Sequence, residues 1–276
     1  MPTALMEYIY SWGVHTASLT DHDTIAGLAE AAEAAQRLGL EFINGIEISA
    51  EFPTDGMHIL GFGFQVTAAL EQFISEQQTT RGDRNTRILQ ALQRLGLHLE
   101  VQDILAYVQR EDRSNTWLNV GRPHFAMVLL QKGYIASYEE AFAKYLAVGR
   151  PAYVERTRVT PLSAITAIKA AGGVAVLAHP LQLKISHSSL EELLLQLREE
   201  GLAGIEAMHP DHSQELQQYY QQLAAKHGLM VTGGSDFHGT ATTPQSIPGH
   251  SGRDLALDDS QVIAKLYAAF TKLRKP

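Results

Sequence analysis

The chain has 276 residues, 45% of them hydrophobic and 19% charged, which excludes a disordered or fibrous protein and leaves length for one large core or two smaller ones. It contains no cysteine, so disulfides, thiolate nucleophiles and cysteine-held zinc or iron–sulfur groups are excluded, and any metal must be bound by imidazole and carboxylate. A formal charge of −8 excludes a global basic footprint for nucleic acid, whereas the 12 histidines are many for this length.

In chain order, 3–12 reads as a short helix stopped by Gly13, and 14–20 as a strand running into Asp21, His22 and Asp23. Thr24 opens the next helix, whose apolar stripe Ile25, Leu28, Ala32, Ala35 and Leu38 has helical spacing and ends at Gly39. A short apolar strand over 40–44 precedes Gly45-Ile46-Glu47-Ile48-Ser49, and 57–64 is a further strand. From 67 to 154 the pattern changes to consecutive helices at 68–95, 101–109, 123–131 and 138–146. Alternation then resumes with helix 161–171, strand 174–178, helix 189–200, strand 204–207, helix 213–227, strand 229–232 and helix 259–273, while 240–254 reads as a loop. Alternating strands and helices predict βα units in a parallel sheet or barrel, built from 1–66 and 155–276, with 67–154 as a helical insertion domain.

Charge follows the same division. Residues 81–158 hold 12 basic and 8 acidic side chains, net +4, and the remainder holds 10 and 22, net −12. Apolar runs fall far short of the roughly 20 residues that span a membrane, and the start MPTALMEY lacks the basic and apolar regions of a signal peptide. These features predict a soluble cytoplasmic protein with no membrane association and no stable protein partner.

In barrels and open α/β sheets, chemistry sits on loops at the carboxyl ends of strands. His22 follows 14–20, Glu47 follows 40–44, His179 follows 174–178, and Asp236 and His238 follow 229–232. His58 starts its own strand and matches less well unless it points inward. A lone histidine or carboxylate at such a place is more often a structural or turn residue. Six at analogous positions predict one carboxylate–imidazole cluster for a divalent manganese, zinc or iron ion. His209 and His212, after 204–207, are evenly balanced between structural and substrate-binding roles, whereas His15, His98, His187, His227 and His250 read as structural.

Six segments share a pattern: LTDHDT at 19–24, GIEIS at 45–49, HILG at 58–61, GRPH at 121–124, AHP at 178–180 and GSDFHG at 234–239. Together, in order over nearly the whole chain, they resemble the polymerase-and-histidinol-phosphatase (PHP) family of metal-dependent phosphoesterases. The nearest resemblance is to bacterial members with a helical insertion, which act as 3′,5′-nucleotide bisphosphate phosphatases and as 5′-to-3′ exonucleases on short RNA. It implies a distorted (β/α)7 barrel, similar to a TIM barrel, holding up to three divalent metals, often manganese. Glu47, His58 and His179 would hold one metal. Glu47 would bridge to a second that also takes Asp236, and His22 and His238 would serve the third.

The metals would make a hydroxide available to phosphorus and neutralise charge on the phosphoryl oxygens, with Asp21 orienting a ligand. Arg122 and His124 are the substrate candidates on the insertion, because a planar guanidinium suits phosphate and a histidine two residues on can donate to the same anion. Arg150 and Arg156 would add to them.

The family's opening strand, D-L-H-x-H-T with an S-D-G loop after it, has no counterpart here, so the expected barrel lacks its first strand. About 15 to 25 upstream residues are expected to complete it. The expected activity is hydrolysis of phosphate esters of small nucleotides or short 5′-phosphorylated RNA. The rivals are a small monoesterase of the histidinol-phosphate type and a degenerate, non-catalytic nucleotide-binding protein.

Overall fold

The computed structural model describes residues 1–53, 56–112, 117, 120–155, 158–237 and 259–273. The chain opens with α1 (Pro2–Ser11), β1 (Thr16–Leu19), α2 (Leu28–Leu38), β2 (Glu41–Ala50) and β3 (Met57–Phe62), and continues into the long helix α3 (Ala68–Arg94). Helices α4 (Val101–Asp112), α5 (Arg122–Gln131) and α6 (Tyr138–Ala141) follow, the last prolonged by a π-helical turn, Phe142–Leu146. Then come α7 (Pro161–Ala170), β4 (Val174–Leu177), a 3₁₀ turn Pro180–Leu183, α8 (His187–Glu200), β5 (Gly204–Met208), α9 (Gln214–His227), β6 (Met230–Gly233) and α10 (Asp259–Leu273). The chain divides into two compact units, Met1–Ile74 with Arg158–Pro276, and Ser75–Thr157, so the first boundary falls inside α3.

In the first unit the strands form one curled, six-stranded half-barrel in sequence order. The sheet is mixed, which corrects the parallel arrangement expected from the alternation of elements. β1 and β2 are parallel, β3 runs antiparallel to both β2 and β4, and β4, β5 and β6 are parallel. Only 51–56 joins β2 to β3, too short for the crossover that a parallel pair requires. A second correction concerns β2, which is a single strand of 10 residues. Glu47 therefore lies within a strand and not in a loop after one. Gly45 permits this, since a Cβ there would meet Ser18 and come within 2.6 Å of the Leu19 carbonyl oxygen of β1.

Alternation along the strands sorts the two faces. Ile46, Ile48, Ile59, Ala175, Leu177 and Ile205 face outward into a core with α2, α7, α8 and α9. On the inner face, Ile43, Leu60, Phe62, Val174 and Val176 pack under Leu266 and Phe270 of α10, which fills one end of the half-barrel. The other end of that face is left for polar side chains. The second unit has its own core, with Ile88, Leu92, Ile104, Val108, Phe125 and Leu129 buried between its helices. Among the described residues, no helix is long and apolar enough to cross a membrane.

Candidate metal centre

Strand direction assembles the site. The carboxyl ends of β1, β2, β4, β5 and β6 reach one rim, and because β3 runs against its neighbours, its amino end reaches that rim too. This explains why His58, at the start of a strand, joins residues that follow strands. Register does the rest: Glu47 faces Leu60 and Ser49 faces His58, making Glu47 and His58 diagonal neighbours on the inner face. His22 is bridged to Glu47 through the backbone, with the Asp23 N–H donating to the Glu47 carbonyl at 2.8 Å and the Glu47 N–H to the Asp21 carbonyl at 3.2 Å. His179 follows β4 with φ 20° and ψ 66°, a backbone that breaks the strand alternation and lets its ring turn inward.

The donor atoms converge on one carboxylate. His58 Nδ1 lies 2.7 Å and His179 Nε2 3.0 Å from Glu47 Oε1, the two nitrogens are 3.1 Å apart, and His22 Nδ1 is 3.3 Å from Glu47 Oε2. At metal–nitrogen lengths of about 2.0–2.1 Å, neighbouring ligands around an ion are separated by roughly 3.0–3.4 Å, so three of these spacings fit a divalent cation directly, and the fourth, His58 to Glu47 at 2.7 Å, is a hydrogen bond that a cation would open by a few tenths of an ångström. His22, Glu47 and His58 each place one ligand atom within a common 4.8 Å. Imidazole and carboxylate donors suit manganese, zinc or iron, and the chain has no thiolate to compete.

The charges reinforce each other. Burial alone would raise the pKa of Glu47, but hydrogen bonds from His179 and His58 and the charge of His22 bring it down to about 2. Burial alone would lower the pKa of His179, but its hydrogen bond to Glu47 and the surrounding carboxylates raise it above the ordinary histidine value. A protonated imidazole cannot ligate, so a raised pKa brings proton competition to a higher pH than an ordinary histidine would. The apparent affinity for Mn²⁺, measured by titration calorimetry, is therefore expected to weaken by about tenfold per displaced proton for each pH unit below that pKa. An affinity constant between pH 6 and pH 8 would remove histidine from the ligand set.

A cavity of about 320 Å³ opens beside the cluster, with His22, Glu47, His179, Glu206 and Asp236 on its polar wall and side chains of α1 on its apolar wall. Asp236 has φ 46° and lies 3.9 Å, through Oδ2, from His209 Nε2. The Asp211 N–H donates to His209 Nδ1 at 3.1 Å, so the neutral ring carries its hydrogen on Nε2. That nitrogen has no hydrogen-bond partner among the described residues. His212 is as deeply buried as His209, bonds the Ala207 carbonyl through Nδ1 at 2.9 Å, and has its pKa pushed down to about 4 by burial, with its ring centroid 5.2 Å from that of His209.

Asp21 is exposed at the cavity mouth. The buried carboxylate beside His22 is instead Asp23, whose two oxygens accept the N–H of Ser49 at 2.8 Å and its hydroxyl at 3.0 Å, tying the His22 loop to β2. In the other unit, Arg122 begins α5, with its guanidinium 5.4 Å over the Tyr153 ring and one N–H donated to the Leu146 carbonyl at 3.3 Å. His124 Nδ1 accepts the Gly121 N–H at 2.9 Å, which closes the helix start. Arg150 is exposed in a turn. Arg156, His238 and the loop expected at 240–254 lie outside the described residues.

Asp23 and Glu206 are the two site residues that spacing did not single out. Glu206 did carry a signal, as a carboxylate inside an apolar strand, where a charge is costly unless it has partners.

No protein-family model matches the chain. It is 32% identical to a 5′-3′ exoribonuclease of Haemophilus influenzae over 86% of this chain and 84% of that protein. It is likewise 32% identical to a 3′,5′-nucleoside bisphosphate phosphatase of Chromobacterium violaceum, over 92% and 85%. A solved structure from Bifidobacterium adolescentis, assigned as a metal-dependent phosphoesterase, superposes with a TM-score of 0.72 at 28% identity, covering 98% of this chain and 91% of that one.

Proposed function

Because this chain belongs to the PHP family of metal-dependent phosphoesterases and is a hydrolase of phosphate esters, we propose that its substrates are nucleoside 3′,5′-bisphosphates and short 5′-phosphorylated oligoribonucleotides. The observation that carries the reading is the convergence of His58, His179 and His22 on the Glu47 carboxylate. Manganese is the metal we assign: Glu47, His58 and His179 would hold one ion, Glu47 with Asp236 would serve a second, and His22 and His238 a third. A bound divalent ion supplies a Lewis acid for the phosphoryl oxygens and lowers the pKa of a coordinated water.

The chain's own groups do the rest. Glu47, ionised at any working pH, keeps the imidazoles turned toward one point. His209, with its hydrogen on Nε2, faces the Asp236 carboxylate at 3.9 Å, and the α1 wall of the cavity excludes water from that side. Arg122 and His124, with Arg150 and Arg156, recognise the substrate's second phosphate. A nucleotide substrate and a chain without cysteine both fit a cytoplasmic enzyme.

The test is turnover of the full chain with Mn²⁺ on adenosine 3′,5′-bisphosphate, a short 5′-phosphorylated RNA and histidinol phosphate. The expected result is phosphate or mononucleotide release, with kcat/KM at least about tenfold higher on a nucleotide than on histidinol phosphate. The reverse preference would make it a small-phosphate monoesterase. No turnover on any of the three with metal bound would make it a binding protein.

A further inference from the structure

We propose that Glu206 is a positioning residue for the metal centre, holding the two loops that carry His179 and Asp236 through their backbones. β5 lies between β4 and β6, so Glu206 sits between the loop that follows each. Its Oε2 accepts the backbone N–H of His179 at 2.8 Å. Its other oxygen rests against Gly234, where an added Cβ would come within 2.7 Å of Oε1, and Gly234 is itself tied to β5 by an N–H donated to the Met208 carbonyl at 3.0 Å. Two residues on is Asp236.

Both loops hold non-glycine residues in the left-handed region, φ 20° at His179 and φ 46° at Asp236. Such backbones persist only where their surroundings over-determine them. The neighbours of Glu206 on its strand, Ile205 and Ala207, are fully buried, and Glu206 is itself 6% exposed. A carboxylate in that position is costly unless its hydrogen bonds compensate, and the His179 N–H supplies one. The consequence runs through His179. Its Nε2 lies 3.0 Å from Glu47 Oε1, and a loop released from Glu206 would carry that nitrogen out of the cluster.

The inference rests on the metal-centre reading, and its test reads metal affinity on the full chain, separately from turnover. Glu206→Ala removes the acceptor, and Glu206→Gln keeps an oxygen for the His179 N–H. Mn²⁺ titration should show Glu206→Ala weakened by about 10- to 100-fold, the range for partners that orient metal ligands, and Glu206→Gln within about threefold of wild type. Wild-type affinity in Glu206→Ala would overturn the proposal. An equal loss in both variants would also overturn it, because Glu206 would then act by its charge, as a ligand.

Should Glu206→Ala fail to fold, Gly234→Ala presses a methyl against Oε1 from the other loop. It should weaken Mn²⁺ binding at least about fivefold, and unchanged affinity there would equally sink the idea. A wild-type chain that binds Mn²⁺ but releases no phosphate would refute the proposed function and leave the Glu206 result standing. One that binds no Mn²⁺ would refute both.

Discussion

Glu47→Gln lowers kcat/KM on adenosine 3′,5′-bisphosphate by at least about 10³-fold and empties the metal cluster. Each tenfold corresponds to about 1.4 kcal/mol of barrier, and a metal acting as Lewis acid contributes several kcal/mol, so loss of the ion alone reaches this size. The substitution preserves shape and removes charge. One carboxylate oxygen now faces both His58 Nδ1 and His179 Nε2, and the other faces His22 Nδ1. An amide in its place is neutral, so no anion balances a divalent cation. It also turns an NH₂ donor toward at least one imidazole nitrogen that must keep its lone pair for ligation.

The fold should survive, because the strand bonds of Glu47 run through its backbone to Asp21 and Asp23 and do not use the side chain. Metal content by mass spectrometry, circular dichroism and steady-state kinetics together test the claim. A variant that keeps its metal and remains within tenfold of wild-type kcat/KM would remove Glu47 from the centre.

Arg122→Ala is expected to raise KM for a nucleoside 3′,5′-bisphosphate by about 10- to 100-fold with kcat changed by no more than a few-fold. Hydrogen bonds to a charged partner contribute about 1.5–3 kcal/mol, and that range gives the spread. Stacking over Tyr153 and the bond to the Leu146 carbonyl hold the guanidinium in a defined orientation before any anion arrives, which reduces the entropy lost on binding. The helix start at Arg122 adds the positive end of the α5 dipole.

Because this contact is proposed for the phosphate that does not react, it is made equally in ground and transition states and appears in KM. Arg122→Lys should recover little, since an ammonium lacks the planar fork. A substrate with a single phosphate, such as p-nitrophenyl phosphate, should show no change in KM. An unchanged KM for the bisphosphate would return Arg122 to a purely structural role within the insertion, and an equal fall in kcat on both substrates would place it at the reacting phosphate.

Much of the centre was legible in the chain because its chemistry is local. Without cysteine, a metal had to be met by histidine and carboxylate, and segments such as Thr20-Asp21-His22-Asp23 and Ala178-His179-Pro180 put those donors beside strand ends. The helical character of 67–154 was legible for the same reason, since apolar spacing at a period near 3.6 is a property of consecutive residues. Asp23 and Asp21 were not separable in this way. They are two residues apart in one loop, and the residue that donates to the Asp23 carboxylate is Ser49, 26 positions later.

The sequence by itself determined the donor types, their order along the chain, and the apolar strands and helices that would carry them. Tertiary structure decided which donors meet. The antiparallel course of β3 turned the strand-start position of His58 into a rim position, and the unbroken β2 placed Glu47 opposite it. Folding also separated two histidines that spacing could not tell apart, bringing His209 Nε2 to 3.9 Å from Asp236 and turning His212 Nδ1 to the Ala207 carbonyl. It also made Glu206 visible as the partner of His179. The reason is physical: residue type and periodicity are set by neighbours in the chain, whereas strand direction, register and burial are set by pairings between segments far apart in it, which only the packed sheet brings together.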